Sequence, residues 1–140
     1  MTPSQPASQV YFEDVQTGMP LETPGMTVTE THAALFNALS ATRPGEPGTI
    51  PDLLPLCLSS GLGWRVPQPP LVVLAFMGFE WRFHHPTRVG DTIRSVSTTV
   101  AKRSLKEGGV VIEERSILNQ RNEVVQSGRL TLLVAKRPVA

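Results

Sequence analysis

The second half of the chain is what most constrains the fold. Between Leu71 and Lys136, four runs read as β-strands: Leu71–His85, Asp91–Leu105, Val110–Gln120 and Glu123–Lys136. Each closes on a turn signal, respectively Pro86, Gly108-Gly109, Arg121-Asn122 and the chain end. Valine, isoleucine, threonine and aromatic residues suit a pleated, half-buried surface. In the last run Leu130, Leu132 and Val134 alternate with Arg129 and Thr131, the period of a sheet with one wet face. Asn122 tolerates the positive φ of a tight hairpin. Three consecutive hairpin-type links predict an antiparallel meander. Runs of 11 to 15 residues are long for strands, which usually have about 5–6.

Two helices precede them. Thr29 is a candidate N-cap with Glu30 in the first turn, and Ala33, Ala34, Phe36, Ala38 and Leu39 form a helix that stops before Pro44-Gly45. A second helix is predicted from Ile50 to Leu62. Leu53, Leu54, Leu56, Cys57 and Leu58 make it apolar almost all round, which places it inside the core. Pro55 lacks an N–H within that helix and predicts a kink or a late start. Long strands beside one apolar helix give α+β: a single domain over residues 11–140, its sheet wrapped around the helix. Residues 1–10 read as a flexible tail.

Composition removes several function classes. No apolar run reaches the roughly 18 residues of a membrane span, and the polar N-terminus has neither the basic nor the apolar region of a secretory signal. The single cysteine, Cys57, cannot form an internal disulfide and fits a reducing cytoplasm. Thirteen basic and 12 acidic side chains give a net charge of +1 with no basic stripe, so no nucleic-acid partner is expected. Three scattered histidines with one cysteine argue against a metal site.

Certain segments carry a family resemblance. They are Tyr11–Val15 with Gly18, Thr27–Glu30 running into Phe36-Asn37-Ala38-Leu39-Ser40, Ile50–Leu54 through Ser60-Gly61-Leu62, and Asn119–Val125. The most specific is Gly78–Pro86 followed by Val89-Gly90-Asp91-Thr92-Ile93. Together they resemble a hotdog-fold protein of the MaoC-like dehydratase and (R)-specific enoyl-CoA hydratase group. The resemblance implies a homodimer or higher assembly, an acyl thioester of coenzyme A or a carrier protein as ligand, hydro-lyase chemistry if active, and no cofactor. In that group an Asp and a His on the loop after the first helix do the acid–base work. Here Ser40–Thr49 fills that interval, Thr42 stands nearest the Asp position, and no histidine lies between His32 and His84. The central helix of the group often begins with a His-Gly step, where this chain has Asp52-Leu53.

Asp52 is therefore either a thioesterase-type carboxylate beside helix N–H donors or one half of a capping box with Thr49. Leu53, Trp64 and Trp81 are candidate substrate contacts. Glu80 and Arg82 share a strand face as a possible ion pair, opposite Phe79, Trp81 and Phe83. Arg43, Arg65, Lys102 and Arg103 either meet phosphates or are solvated. His84 and His85 point to opposite faces and cannot share a ligand. Ser59 and Ser60 have no base nearby in sequence. Three functions stay open: a hydratase or dehydratase, a thioesterase using Asp52, or a non-catalytic acyl-binding subunit that pairs with a hotdog partner.

Overall fold

A computed structural model describes residues 9–139. Of the expected tail, only Gln9 and Val10 fall inside the described residues. Val10 forms a parallel bridge with Leu71, its N–H donating to the Pro70 carbonyl at 2.9 Å.

Strands β1 (Pro20–Glu22) and β2 (Met26–Thr27) lead into helix α1 (Glu30–Ser40). Helix α2 (Leu54–Leu62) and a 3-10 turn (Gly63–Arg65) precede β3 (Val73–Phe83), β4 (Thr92–Ser104), β5 (Gly109–Leu118) and β6 (Val124–Val134). The cap on α1 is as expected at Thr29, whose hydroxyl accepts the His32 N–H. His32 itself completes a capping box, its Nδ1 accepting the Thr29 N–H at 2.9 Å. Ala41 ends the helix in the left-handed conformation, with its N–H on the Asn37 carbonyl.

Helix α2 begins at Leu54, so Pro55 falls in the first turn, where its missing N–H costs nothing. This is the late start that Pro55 favours. The Thr49–Asp52 capping box does not form: the Thr49 hydroxyl turns back to the Glu46 carbonyl at 2.6 Å, and Leu53 caps the helix without a side-chain bond. Nor is α2 enclosed on all sides. Leu54, Pro55, Ser59 and Leu62 are buried, whereas Cys57 is exposed, because the sheet covers the helix from one side only.

The sheet is antiparallel in the order β1-β4-β5-β6-β3, with β2 also on β4. Two of the three predicted hairpins exist, turning at Gly108 (φ 90°) and Asn122 (φ 60°). The first does not. β3 pairs with β6, and the chain crosses over to β4 on the far side of the hairpin. Pro86 and Gly90 punctuate a crossover as well as a hairpin, so local chemistry could not separate the two.

Burial divides into two clusters. Val28, Ile50, Leu54, Ile93, Ile117 and Val125 pack at the start of α2, and Phe12, Val111, Leu132 and Val134 pack at the other end. Along β5 the residues of the inner face are Val111, Glu113, Arg115 and Ile117, so a charged pair separates the two clusters.

Candidate functional site

The connection from α1 to α2 rims a cavity of about 480 Å³ together with α1 and Val89. Ser40 and Thr42 are joined hydroxyl to hydroxyl at 2.5 Å at its edge. Its polar lining includes Glu30, Asn37, Thr42, Glu46 and Thr49. The Asn37 Oδ1 is buried and meets no donor. This lining offers carboxylates and amide oxygen but no imidazole, the group best matched to proton transfer near neutral pH. In the sequence Glu30 reads only as a first-turn residue of α1 and Glu46 not as a site residue, because their neighbourhood depends on how residues 42–49 fold back on α1.

Asp52 is outside the lining of this cavity and lies in the turn before α2. Its carboxylate is exposed and makes no hydrogen bond among the described residues. Its carbonyl is held by the Gln126 amide, Nε2 donating at 2.8 Å, and the Gln126 Oε1 accepts the Trp81 indole N–H at 2.9 Å. Gln126 is 2% exposed. Asp52, Leu53 and Trp81 are thus gathered at the start of α2, by a glutamine that the sequence reading passed over. Pro51 and Pro55 have no N–H there, and that of Leu54 goes to the Pro51 carbonyl at 3.0 Å, whereas the N–H groups of Asp52 and Leu53 have no acceptor among the described residues. Those two N–H groups are the backbone donors this turn has to offer a developing negative charge.

Trp64 is separated from that group. It sits on the 3-10 turn at the other end of α2, about 13 Å along the helix axis. There it is 76% exposed and lines a second cavity of about 580 Å³. Ser59, also in its lining, is buried, and its hydroxyl donates to the Leu56 carbonyl while accepting from Arg115 at 3.1 Å. No base activates it.

The other candidates take structural roles. Glu80 and Arg82 are both exposed and form no ion pair. Lys102 donates to the Phe12 and Val15 carbonyls and lies 4.7 Å from the Phe12 ring centroid, which makes it a clamp on the N-terminal segment. His84 shares a 2.7 Å hydrogen bond with Ser127. Asp91, 8% exposed, accepts from the Arg88 N–H at 3.0 Å and from Gln120 Nε2 at 2.9 Å. Burial, the largest single influence, acts to raise the Asp91 carboxyl, but these two donors together with the Arg121 and Arg88 charges outweigh it and hold the group below the ordinary carboxylate value. Among the described residues, no group of three His, Cys, Asp or Glu side chains is placed to hold a metal. No helix among them is long and apolar enough to cross a membrane.

No protein-family model and no curated protein sequence matches the chain. Solved structures do. A monoamine oxidase regulatory protein from an Archaeoglobus species superposes with a TM-score of 0.85 at 28% identity, over 93% of this chain and 97% of the other. The MaoC-like dehydratase from Rhodospirillum rubrum gives 0.76 at 22% identity, over 93% and 99%. An (R)-hydratase from A. caviae, described as involved in PHA biosynthesis, gives 0.67 at 20% identity, over 90% and 99%. The chain has the MaoC-like hotdog fold.

One edge of this hotdog sheet is unprotected. β3 has β6 on one side and, among the described residues, no strand on the other, for 11 residues. Phe76 (54%), Met77 (55%), Phe79 (50%) and Phe83 (50%) are exposed along it. A long apolar edge of this kind is a ready template for another strand.

Proposed function

We propose that this protein binds acyl thioesters, of coenzyme A or an acyl carrier protein, on a hotdog scaffold of hydratase/dehydratase type, and that it does so without an acid–base pair of its own. The observation that carries this reading is the lining of the cavity beside the α1–α2 connection. It combines the expected scaffold position with an absence of histidine, and the carboxylates it holds have no partner to relay a proton. Asp52, Leu53 and Trp81 are the proposed contacts at the start of α2. Trp64, at the far end, contacts a thioester only if the ligand runs the length of the helix.

The bare β3 edge supports a homodimer in this reading. Pairing β3 with β3 of a second copy would complete the ladder of backbone hydrogen bonds. A catalytic hotdog chain in place of the second copy would give a heteromer with one working site.

Calorimetric titration with crotonyl-CoA tests the reading. Saturable binding, weaker for free coenzyme A, is the expected result. No binding by either ligand contradicts it. Thiol release from a saturated acyl-CoA that disappears in Asp52→Asn would instead establish a thioesterase centred on Asp52.

A further inference from the structure

The second cavity has a floor that the proposed thioester reading does not use. It lies under the C-terminal half of α2, and its lining shares no residue with that of the first. Across its floor run Glu113 and Arg115 of β5, with side chains only 14% and 12% exposed. The Arg115 Nε and Nη2 reach the same Glu113 oxygen, Oε1, at 2.8 and 2.7 Å. Its Nη1 donates to the Ser59 and Ser60 hydroxyls at 3.1 and 3.2 Å.

Arg has five N–H donors, and its Nε and Nη1 hydrogen bonds occupy three of them, the Nη2 contact being an ion pair. Nη2 makes no hydrogen bond among the described residues. Glu113 Oε2 is likewise without a hydrogen bond among the described residues, so a donor and an acceptor remain on the same ion pair. A charged pair withdrawn from water to this extent is expensive to keep, and an apolar pair of similar volume would often serve stability as well. Around the pair the walls are mixed, with Leu71, Leu132 and Trp64 on the apolar side and Ser97 and Thr99, the β4 neighbours of the pair, on the polar side. A cavity of about 580 Å³ that joins an apolar wall to convergent polar groups is of ordinary size for a small-molecule pocket.

The geometry points to a second ligand site, for a small molecule with an apolar body and an uncharged head that donates and accepts side by side. A primary carboxamide is the matching group: its oxygen takes the spare Arg115 N–H and its N–H₂ gives to Glu113 Oε2. A carboxylate head has no donor and meets the Glu113 charge, so the site rejects it.

Hexanamide and hexanoate are the probes, each titrated calorimetrically into the full-length protein at neutral pH. Hexanamide binding at least about tenfold tighter than hexanoate is expected, the range of one hydrogen bond to a charged group. Glu113→Gln should reverse the order, since it removes the repulsion and leaves the Arg115 charge free for hexanoate. The double variant Glu113→Leu/Arg115→Met should lose the discrimination while keeping its fold, as urea unfolding would verify. Equal binding of the two probes, no hexanamide binding, or an order unchanged in Glu113→Gln overturns the proposal. Because the cavities share no lining residue, crotonyl-CoA titration of Glu113→Gln reports on the thioester reading separately.

Discussion

The indole N–H of Trp81 donates to Gln126 Oε1 at 2.9 Å, and the same buried amide holds the Asp52 carbonyl at 2.8 Å. One side chain on β6 therefore sets both the edge strand and the turn that starts α2. Its loss should be felt at both. Gln126→Leu leaves a Trp81 N–H and an Asp52 carbonyl without partners, each costing about 1–3 kcal/mol where it stays dry. The expected sum is a clear fall in the urea midpoint with an altered tryptophan emission. An unchanged midpoint would mean that water replaces the amide freely.

Acid should act through Asp91. Its folded pKa lies below the unfolded value, so its contribution to stability is full above an unfolded pKa of about 3.9 and fades as pH falls through the folded value. Asp91→Asn removes that titration. The stability gap between native protein and variant should be constant near neutral pH and shrink below about pH 4. Urea unfolding across that range provides the check, and a gap that widens in acid would contradict the assignment.

Gly128 allows β3 to approach β6. A Cβ there would lie 2.0 Å from the Glu80 carbonyl oxygen and 2.6 Å from Trp81 Cε3, and backbone cannot give way cheaply. Gly128→Ala should destabilise by about 1–3 kcal/mol or more, as overpacking does. Gly61→Ala, in α2 with open space around its Cβ position, is the control and should stabilise by up to about 1 kcal/mol.

The β3 edge gives a prediction on assembly. Phe76→Lys places a charge on a strand that otherwise offers Phe76 and Phe79 with ring centroids 5.9 Å apart. A charge on an edge strand disfavours pairing. Light scattering should find a dimer for the native chain and a shift to monomer for the variant. A native monomer at high concentration would remove the proposed second copy.

How much of this was legible in the sequence differs by element. The start of α1 was, because Thr29 caps it, whereas Pro44-Gly45 set only an outer limit for an end that falls at Ala41. The four long strands were also readable from alternation and turn residues, with Asn122 and Gly108 at positive φ as expected. The partner of β3 was not, since pairing with β6 across the sheet leaves no local trace. The cluster of Asp52, Leu53 and Trp81 was named residue by residue, but the glutamine joining two of them is 45 residues from one and 74 from the other. Glu113 and Arg115 were within reach of sequence reasoning. They occupy the inward positions between Val111 and Ile117, a break in the apolar alternation that marks the second cavity.

The central claim is that the chain binds an acyl thioester without the acid–base pair to transform it. The most direct measurement follows the conjugated-thioester absorbance of crotonyl-CoA after mixing with a molar excess of the protein, in a sample whose calorimetric binding is already established. A constant absorbance over hours, with the ligand recovered intact, is the predicted result. A decay to the hydrated 3-hydroxyacyl thioester would contradict it and require that groups such as Glu30 and Glu46 do the work of the missing histidine.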